Sequence, residues 1–206
     1  MSAAAAPLAA DLEAALRRLK LRRLREIAPE VLQAAKTQRW APEELLRTLV
    51  EAEISARDEA NQERRLRAAG FPVEKTLEEF ALTQSSVPRA TYDYLASLEW
   101  IRASENLCLV GLAGTGKSHL LVGLGHAAVE AGYRVRYLTA AELVETLYRG
   151  LADNSVGKQI AALLRCELVL IDEVGFAPLD ETGMQLLFRF VAAAYERRSL
   201  GIASHW

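Results

Sequence analysis

The sequence has few cysteines and no long hydrophobic run. Its two cysteines, Cys108 and Cys166, both lie in apolar, strand-like segments without the spacing of metal ligands, and we expect buried structural thiols. No apolar run approaches the ~18 residues of a membrane span, and residues 1–7 lack the basic and apolar regions of a signal peptide. We therefore expect a cytoplasmic protein without a membrane partner.

The charges of the chain nearly cancel. The formal net charge is −2 over 206 residues, which neither predicts nor excludes nucleic-acid binding, because local patches decide that. Hydrophobic residues make up 51% and charged residues 25% of the chain, which permits a core and argues against wholesale disorder. This length suits one domain, or one domain with a helical appendage.

A helical module is predicted over residues 1–70. Apolar residues recur at helical spacing within 8–35, and a second helix begins at Pro42 and ends at Gly70. Six basic residues and no acidic one lie within residues 17–25. Two interpretations of this run stay open: a solvated helix face, or a contact for a phosphate backbone or a partner protein.

A glycine-rich segment follows the apolar strand 106–110. Gly111 and Gly116 precede Lys117 and Ser118 in the P-loop pattern, in which backbone N–H groups and a helix N-terminus bind nucleotide phosphates. We expect Lys117 to reach the β- and γ-phosphates and Ser118 to bind Mg²⁺. The residues predicted to hold ATP in this segment are Gly111, Leu112, Ala113, Gly114, Thr115, Gly116, Lys117, Ser118 and His119.

Residues 71–105 are predicted to connect the helical module to the P-loop strand and to end in a helix over about 88–103. An apolar side chain just upstream of such a strand can line the adenine ring. Phe80 is a candidate for this position, although an aromatic residue there is more often part of the core.

From residue 106 onward, predicted strands and helices alternate, which indicates an α/β fold with a parallel sheet. The predicted strands are 106–110, 134–138, 168–171 and 200–203; the predicted helices are 117–131, one that Thr139 and Glu142 begin as a capping box, and 181–196.

Strand three ends in Asp172 and Glu173. A buried parallel strand is apolar throughout, so its first polar residues emerge at the carboxyl edge, where open α/β sheets bind ligands. We expect Asp172 to hold Mg²⁺ through its water shell and Glu173 to accept a proton from the water that attacks the γ-phosphate. Paired with Lys117, these residues predict ATP hydrolysis.

Other polar residues carry weaker signals. His119 is expected to hydrogen-bond locally, and His126 to be structural. Arg197 and Arg198 precede strand four and could reach the phosphate of a neighbouring subunit as arginine fingers. The preferred explanation is that these two arginines place positive charge at a helix C-terminus, where it interacts favourably with the helix dipole.

Several segments together resemble the IstB family of AAA+ helper ATPases of insertion-sequence transposition, which is related to DnaC-type helicase loaders. They are Gly111–His119, Thr139–Leu143, Ile171–Gly175 with Pro178 and Leu179, Tyr195–Ser199, and, upstream, Arg64–Pro72 and Lys75–Phe80. The resemblance covers nearly the whole chain. It implies an α/β P-loop NTPase of AAA+ (ASCE) type, with a parallel sheet flanked by helices behind an N-terminal helical module.

The resemblance also implies a function. Family members bind ATP and Mg²⁺ at subunit interfaces, self-associate on DNA with little sequence preference, and recruit and stimulate a transposase. On that analogy, residues 1–70 contact other subunits or the transposase, residues 71–105 form the linker, and residues 106–206 form the ATPase core.

Two departures from the family pattern affect the expected activity. A sensor asparagine commonly follows strand four; His205 stands there, and with Glu173 and Lys117 it completes the predicted catalytic set. The sequence ends at Trp206, where the family continues through a fifth strand and a helical lid that carries arginines. We therefore expect strand one to be an edge and hydrolysis to be weak, since a trans-acting arginine contributes ~10³-fold or more in related phosphoryl transfer.

Three other functions stay open at the level of sequence. A replicative helicase loader would share the fold and differ chiefly in the N-terminal module. A small-molecule P-loop kinase is disfavoured by the pair Asp172 and Glu173, which suits water activation. A truncated, non-catalytic remnant would only bind partners through its helices.

Overall fold

The computed structural model describes residues 6–176 and 179–205, so Pro178 and Trp206 lie outside the described part. The chain divides into two compact units, Met1–Glu63 and Arg64–Trp206. Their boundary precedes the one that we predicted after residue 70, and the predicted division into three functional segments stays a prediction.

The N-terminal unit is helical, as predicted, but its first helix is broken. The chain forms α1 (Ala10–Arg18), α2 (Arg22–Gln38) and α3 (Pro42–Ala69), which runs on past the unit boundary. The prediction of one helix over 8–35 is wrong because Lys20 has a φ of 58°. The N–H groups of Lys20 and Leu21 donate to the carbonyls of Arg17 and Leu16, a Schellman ending that usually has glycine at the position of Lys20.

The helix predicted over 88–103 is also interrupted. It forms α4 (Arg89–Ala96) and α5 (Glu99–Arg102), separated by Leu98 with a φ of 59°. The break buries Leu95, Leu98 and Trp100, and the indole N–H of Trp100 donates to the Leu95 carbonyl at 3.0 Å. A continuous helix would not turn all three side chains into the core, so tertiary packing overrides the helical pattern here.

The C-terminal unit has the predicted parallel α/β fold. Its strands are β1 (Leu107–Val110), β2 (Val135–Thr139), β3 (Leu168–Val174) and β4 (Ser199–Ser204), in the order β1-β4-β3-β2, and its further helices are α6 (Lys117–Glu130), α7 (Ala140–Ala152), α8 (Val156–Leu163) and α9 (Glu181–Ala194). The capping box of Thr139 and Glu142 begins α7, as predicted. Helix α8 was not predicted from the sequence, because it is short and lacks a side-chain cap.

Both faces of the sheet are covered, because successive residues of β3 point to opposite sides. Leu168 and Leu170 pack in one core cluster with α6 and the segment before β1. Val169 and Ile171 pack in a second cluster with α7, α8 and α9. A strand buried on both faces is apolar throughout, which explains the sequence of β3.

Strand β1 lies at an edge of the sheet, as predicted: within the described residues it pairs with β4 alone. At this edge the side chain of Cys108 is exposed, so the prediction that both cysteines are buried is wrong for Cys108. Cys166 is half-buried, and burial raises the pKa of its thiol.

Candidate nucleotide-binding site

The loop between β1 and α6 has the backbone that phosphate binding requires. Gly114 and Gly116 have φ values of 80° and 86°, which L-residues with side chains rarely adopt. Gly116 is also the N-cap of α6, and a Cβ atom there would lie 3.1 Å from the ring of Phe80. This close approach explains why the last glycine of the motif has no side chain.

The N-terminus of α6 is suited to an anion. No side chain caps the helix, and its first turn has no acidic residue, so its leading N–H groups are available to phosphate oxygens. Lys117 lies over the loop, where its Nζ donates to the Leu112 carbonyl at 2.7 Å. The hydroxyl of Thr115 donates to the same carbonyl at 2.8 Å, and Ser118 is exposed in the first turn.

Asp172 is held at the carboxyl end of β3 by two hydrogen bonds. Its side chain is 4% exposed, its Oδ2 accepts from the hydroxyl of Tyr137 at 2.9 Å, and its Oδ1 accepts from the Glu173 N–H at 2.8 Å. Burial, followed by the bond to Asp172, raises the pKa of the Tyr137 hydroxyl well above its ordinary value, so the hydroxyl stays a donor. Tyr137 belongs to β2 and could not be predicted as a partner of Asp172 from the sequence pattern, because only the pairing of β2 with β3 brings the two residues together.

Glu173 is exposed and has a φ of 59°, which places a residue with a side chain in the left-handed region. The pairing of β3 with β4 shifts register between Ile171 and Val174, so Glu173 lies in an irregularity of the strand. Such irregularities redirect side chains and are common beside active sites. The sequence pattern predicts a role for Glu173 but not its left-handed backbone conformation.

His205 lies at the same edge of the sheet as the P-loop and Asp172. It follows β4, which pairs with β1 on one side and β3 on the other. The Gly111 N–H donates to the Ser204 carbonyl at 3.3 Å, and the Ser204 hydroxyl donates to the Val174 carbonyl at 2.8 Å. The fold therefore brings together at one edge the segments that carry Lys117, Glu173 and His205; the catalytic roles of these residues stay predictions.

The ring of the predicted ATP ligand His119 contacts the linker rather than the P-loop, and its hydrogen bond, which was predicted to be local, joins residues 43 positions apart. Its Nε2 lies 3.0 Å from the Thr76 carbonyl, and its ring meets the edge of Phe80. Any contribution of His119 to phosphate binding would thus come from its backbone. His126 stacks on Phe71 with ring centroids 4.4 Å apart, as a structural residue would.

A cavity of about 260 Å³ adjoins the P-loop on the side of the linker. Its lining includes Phe80, Val87 and Pro88 from the linker and Gly116 and Lys117 from the loop. Phe80 stacks against Tyr92 at a centroid distance of 5.9 Å. Phe80, the candidate for contact with the adenine ring, therefore both lines this cavity and packs against the core.

The oxygen donors at this edge suit Mg²⁺. A hydroxyl from Ser118 and a carboxylate from Asp172 are hard ligands, and each carboxylate oxygen of Asp172 keeps a lone pair beyond the bond that it accepts. Mg²⁺ commonly uses one or two protein ligands and fills its other positions with water and substrate phosphates. The described residues form no cluster of three or more His, Cys, Asp or Glu side chains that could hold a metal alone.

Arg197 and Arg198 lie at the opposite edge of the sheet. They precede β4, whereas the P-loop follows the parallel strand β1. Arg198 donates to the carbonyls of Leu164 and Arg197 at 2.8 and 2.7 Å. The preferred explanation, cations at a helix C-terminus, fits Arg198 at Leu164, the C-cap of α8, but it does not fit α9, which ends at Ala194 without a basic residue in its last turn. Contact of either arginine with the phosphate of a neighbouring subunit stays a prediction.

A parallel α/β sheet with a P-loop after β1 and an Asp-Glu pair at the carboxyl end of β3 defines the P-loop nucleoside-triphosphate-binding class. Within it, the chain belongs to the family of IstB-like ATP-binding proteins, which matches residues 14–206. The resemblance found in the sequence is therefore confirmed.

Comparisons with individual proteins agree with this family assignment. The chain is 33% identical over 196 residues to the IS21 insertion-sequence ATP-binding protein of Pseudomonas aeruginosa, covering 95% of this chain and 74% of the relative. It is 30% identical over 191 residues to an insertion-sequence ATP-binding protein of Sinorhizobium fredii, covering 91% of this chain and 63% of that relative. AMPPCP-bound DnaA from Aquifex aeolicus superimposes with a TM-score of 0.56 at 25% identity, over 66% of this chain and 44% of DnaA.

No helix in residues 6–176 or 179–205 is both long enough and apolar enough to cross a membrane.

Proposed function

We propose that this chain binds and hydrolyses ATP as a helper protein of DNA transposition. The observation that carries the enzymatic part is the shared sheet edge, which carries the uncapped N-terminus of α6, a buried, hydrogen-bonded Asp172 and an exposed, backbone-strained Glu173. A strand end with only a structural role would not require a glutamate whose backbone lies in the strained left-handed region beside a P-loop.

Each residue has a distinct role in this proposal. The N–H groups at the start of α6 bind the phosphates, and the Lys117 ammonium leaves the Leu112 carbonyl to neutralise the β- and γ-phosphates. Mg²⁺, when bound, offsets charge on the phosphates, with Ser118 and Asp172 holding it directly or through water. Glu173 orients the attacking water and takes its proton, and His205 hydrogen-bonds that water or the γ-phosphate.

Release of inorganic phosphate from ATP with Mg²⁺, without any added acceptor, tests the enzymatic part. We expect Lys117→Ala to lose ATP binding and Glu173→Gln to keep binding but lose turnover by about 10²-fold or more, as for removal of a general base. Lys158→Ala removes an exposed lysine from α8 and is the matched control.

Turnover equal to that of the unaltered chain in Glu173→Gln would contradict the role of Glu173. Phosphate transfer only to an added small molecule would favour a kinase.

The transposition part rests on family membership and on relatives that are named as insertion-sequence proteins. We infer that the partners are DNA, bound with little sequence preference, a transposase, and further copies of this chain. Capture of the transposase from the same insertion sequence by immobilised protein, with and without ATP, tests this.

Capture of the transposase that requires ATP and fails with Lys117→Ala supports the proposal. Capture of a hexameric replicative helicase instead would make the chain a helicase loader, and capture of neither would contradict both functions.

A further inference from the structure

A groove of about 500 Å³ lies at the amino edge of the sheet, away from the nucleotide site. Five arginines from four different segments line it, on a floor of small or buried apolar residues. The lining arginines of this arginine groove are Arg134, Arg165, Arg189, Arg197 and Arg198, and its floor is Gly157, Ile160, Ala161, Leu164 and Ala193. Arg134 directly precedes β2 and Arg198 directly precedes β4, which places the groove opposite the P-loop edge.

The cations of the groove are only partly neutralised by the protein. Arg134 pairs with Glu167, with Nη2 to Oε1 at 2.5 Å, and Arg198 donates to two backbone carbonyls. The side chains of Arg189 and Arg197 are exposed, and neither guanidinium forms a hydrogen bond or an ion pair with the described residues. Mutual repulsion among close like charges disfavours such a cluster unless an anion offsets it.

The basic lining continues beyond the groove. A neighbouring cavity of about 700 Å³ shares Arg134 with it and adds Arg64 and Arg65. Of the described residues that line the two cavities, Glu167 alone is acidic, and Arg134 engages it. The surface is therefore an extended cationic track rather than a single-anion pocket.

The composition of the lining decides between a nucleic acid and an acidic protein. Protein interfaces are anchored by large apolar or aromatic side chains, and none of the exposed large hydrophobic side chains of the described chain lines the arginine groove. The absence of an aromatic side chain from this lining also disfavours stacking on single-stranded bases. Guanidinium groups without base-reading or stacking neighbours suit phosphodiester oxygens.

We propose that the arginine groove binds the phosphate backbone of double-stranded DNA without reading its sequence. The proposal rests on the DNA association proposed above and adds the place where the DNA lies. It also separates the two ligands: DNA lies at the amino edge of the sheet and ATP at the carboxyl edge, so both bind the same chain at once.

The test uses the full chain and a fluorescent 30-base-pair duplex of arbitrary sequence, titrated at several salt concentrations. Arg189→Ala with Arg197→Ala is the groove variant, and Arg89→Ala with Arg149→Ala removes the same charge from exposed sites outside the groove. We expect the groove variant to bind about tenfold or more weakly and its log Kd–log salt slope to fall by about 2. In the control variant, both the Kd for the duplex and the salt slope should change much less than in the groove variant. Both variants should bind ATP normally without DNA.

Equal weakening in the two variants, or full affinity in the groove variant, would overturn the proposed place while leaving DNA association intact. No binding of the duplex by the unaltered chain would overturn DNA association itself. Displacement of the duplex by polyglutamate at equal charge concentration, or a clear preference for a single strand, would also overturn the proposal.

Discussion

At the scale of single residues, Tyr137 shows how the Asp172 carboxylate is positioned. Its hydroxyl donates to Asp172 from the neighbouring strand, in a buried setting that keeps the phenol protonated. A residue that orients a metal-binding carboxylate by a hydrogen bond contributes to metal affinity without contacting the metal. Tyr137 is therefore a positioning residue of the proposed ATPase.

Replacing Tyr137 with Phe should change the response to Mg²⁺ while preserving nucleotide binding. Asp172 loses the donor to its Oδ2 and is free to turn, so we expect the Mg²⁺ concentration for half-maximal phosphate release to rise by about tenfold. Nucleotide affinity measured in EDTA should not change. Tyr94→Phe, which breaks an exposed phenol–carboxylate bond of 2.7 Å, is the control, and an equal Mg²⁺ requirement in both variants would refute the role of Tyr137.

The backbone of Glu173 predicts a trade of stability against activity. A left-handed residue with a Cβ costs about 1–2 kcal/mol, a cost that glycine avoids. We expect Glu173→Gly to be more stable than Glu173→Ala by about 1 kcal/mol in urea unfolding, with both variants inactive. Equal stability of the two variants would show that the φ of 59° stores no strain.

At the scale of elements, α2 depends on a cap from another helix. Glu53 of α3 is buried, and its two carboxylate oxygens accept from the Leu24 N–H and the Arg57 Nε, each at 2.9 Å. Burial by itself raises the pKa of Glu53, but these two hydrogen bonds outweigh it and hold the pKa below its ordinary value. The first turn of α2 has no acidic residue of its own, so Glu53 supplies the negative charge there.

Because the pKa of Glu53 is lowered on folding, its contribution to stability is present above its unfolded pKa of about 4.3 and is lost as pH falls through the folded value. We expect Glu53→Ala to lower the free energy of unfolding by about 1–3 kcal/mol at pH 7. Urea titrations from pH 7 to pH 3 should show this difference shrinking below pH 4.3. A difference that does not depend on pH would mean that packing, not charge, explains the effect.

Elements with local signals were predictable and those with tertiary causes were not. Pro42, Thr139 with Glu142, and the apolar run of β3 each encode an element within a few residues, and the structure has all three. The breaks at Lys20 and Leu98 carry no glycine or asparagine that would announce a left-handed residue. At Leu98 the break buries Leu95, Leu98 and Trp100, a tertiary cause that the sequence pattern does not contain.

At the scale of the whole molecule, ligand binding should stabilise the two units unequally. ATP with Mg²⁺ at about 100 times its Kd should add about 2.7 kcal/mol to the stability of the state that binds it. We expect slower amide hydrogen exchange in α6 and β3 and no change in α1, because the proposed ATP and Mg²⁺ ligands all lie in the C-terminal unit. The effect should vanish in Lys117→Ala, and uniform slowing across both units would contradict local binding.

The sequence by itself determined the chemistry that is contiguous along the chain. The P-loop spans eight residues, and Asp172 and Glu173 end an apolar strand, so spacing predicted the nucleotide site and its metal ligands. The family was predicted from the resemblance of several segments along the chain. Only the tertiary structure decided what distant segments do together: the Tyr137 bond to Asp172, the Glu53 cap on α2, the exposure of Cys108 at the sheet edge, and the arginine groove. The reason is physical: backbone motifs that bind phosphate need neighbours along the chain, whereas hydrogen bonds between strands and convergent charges need neighbours in space.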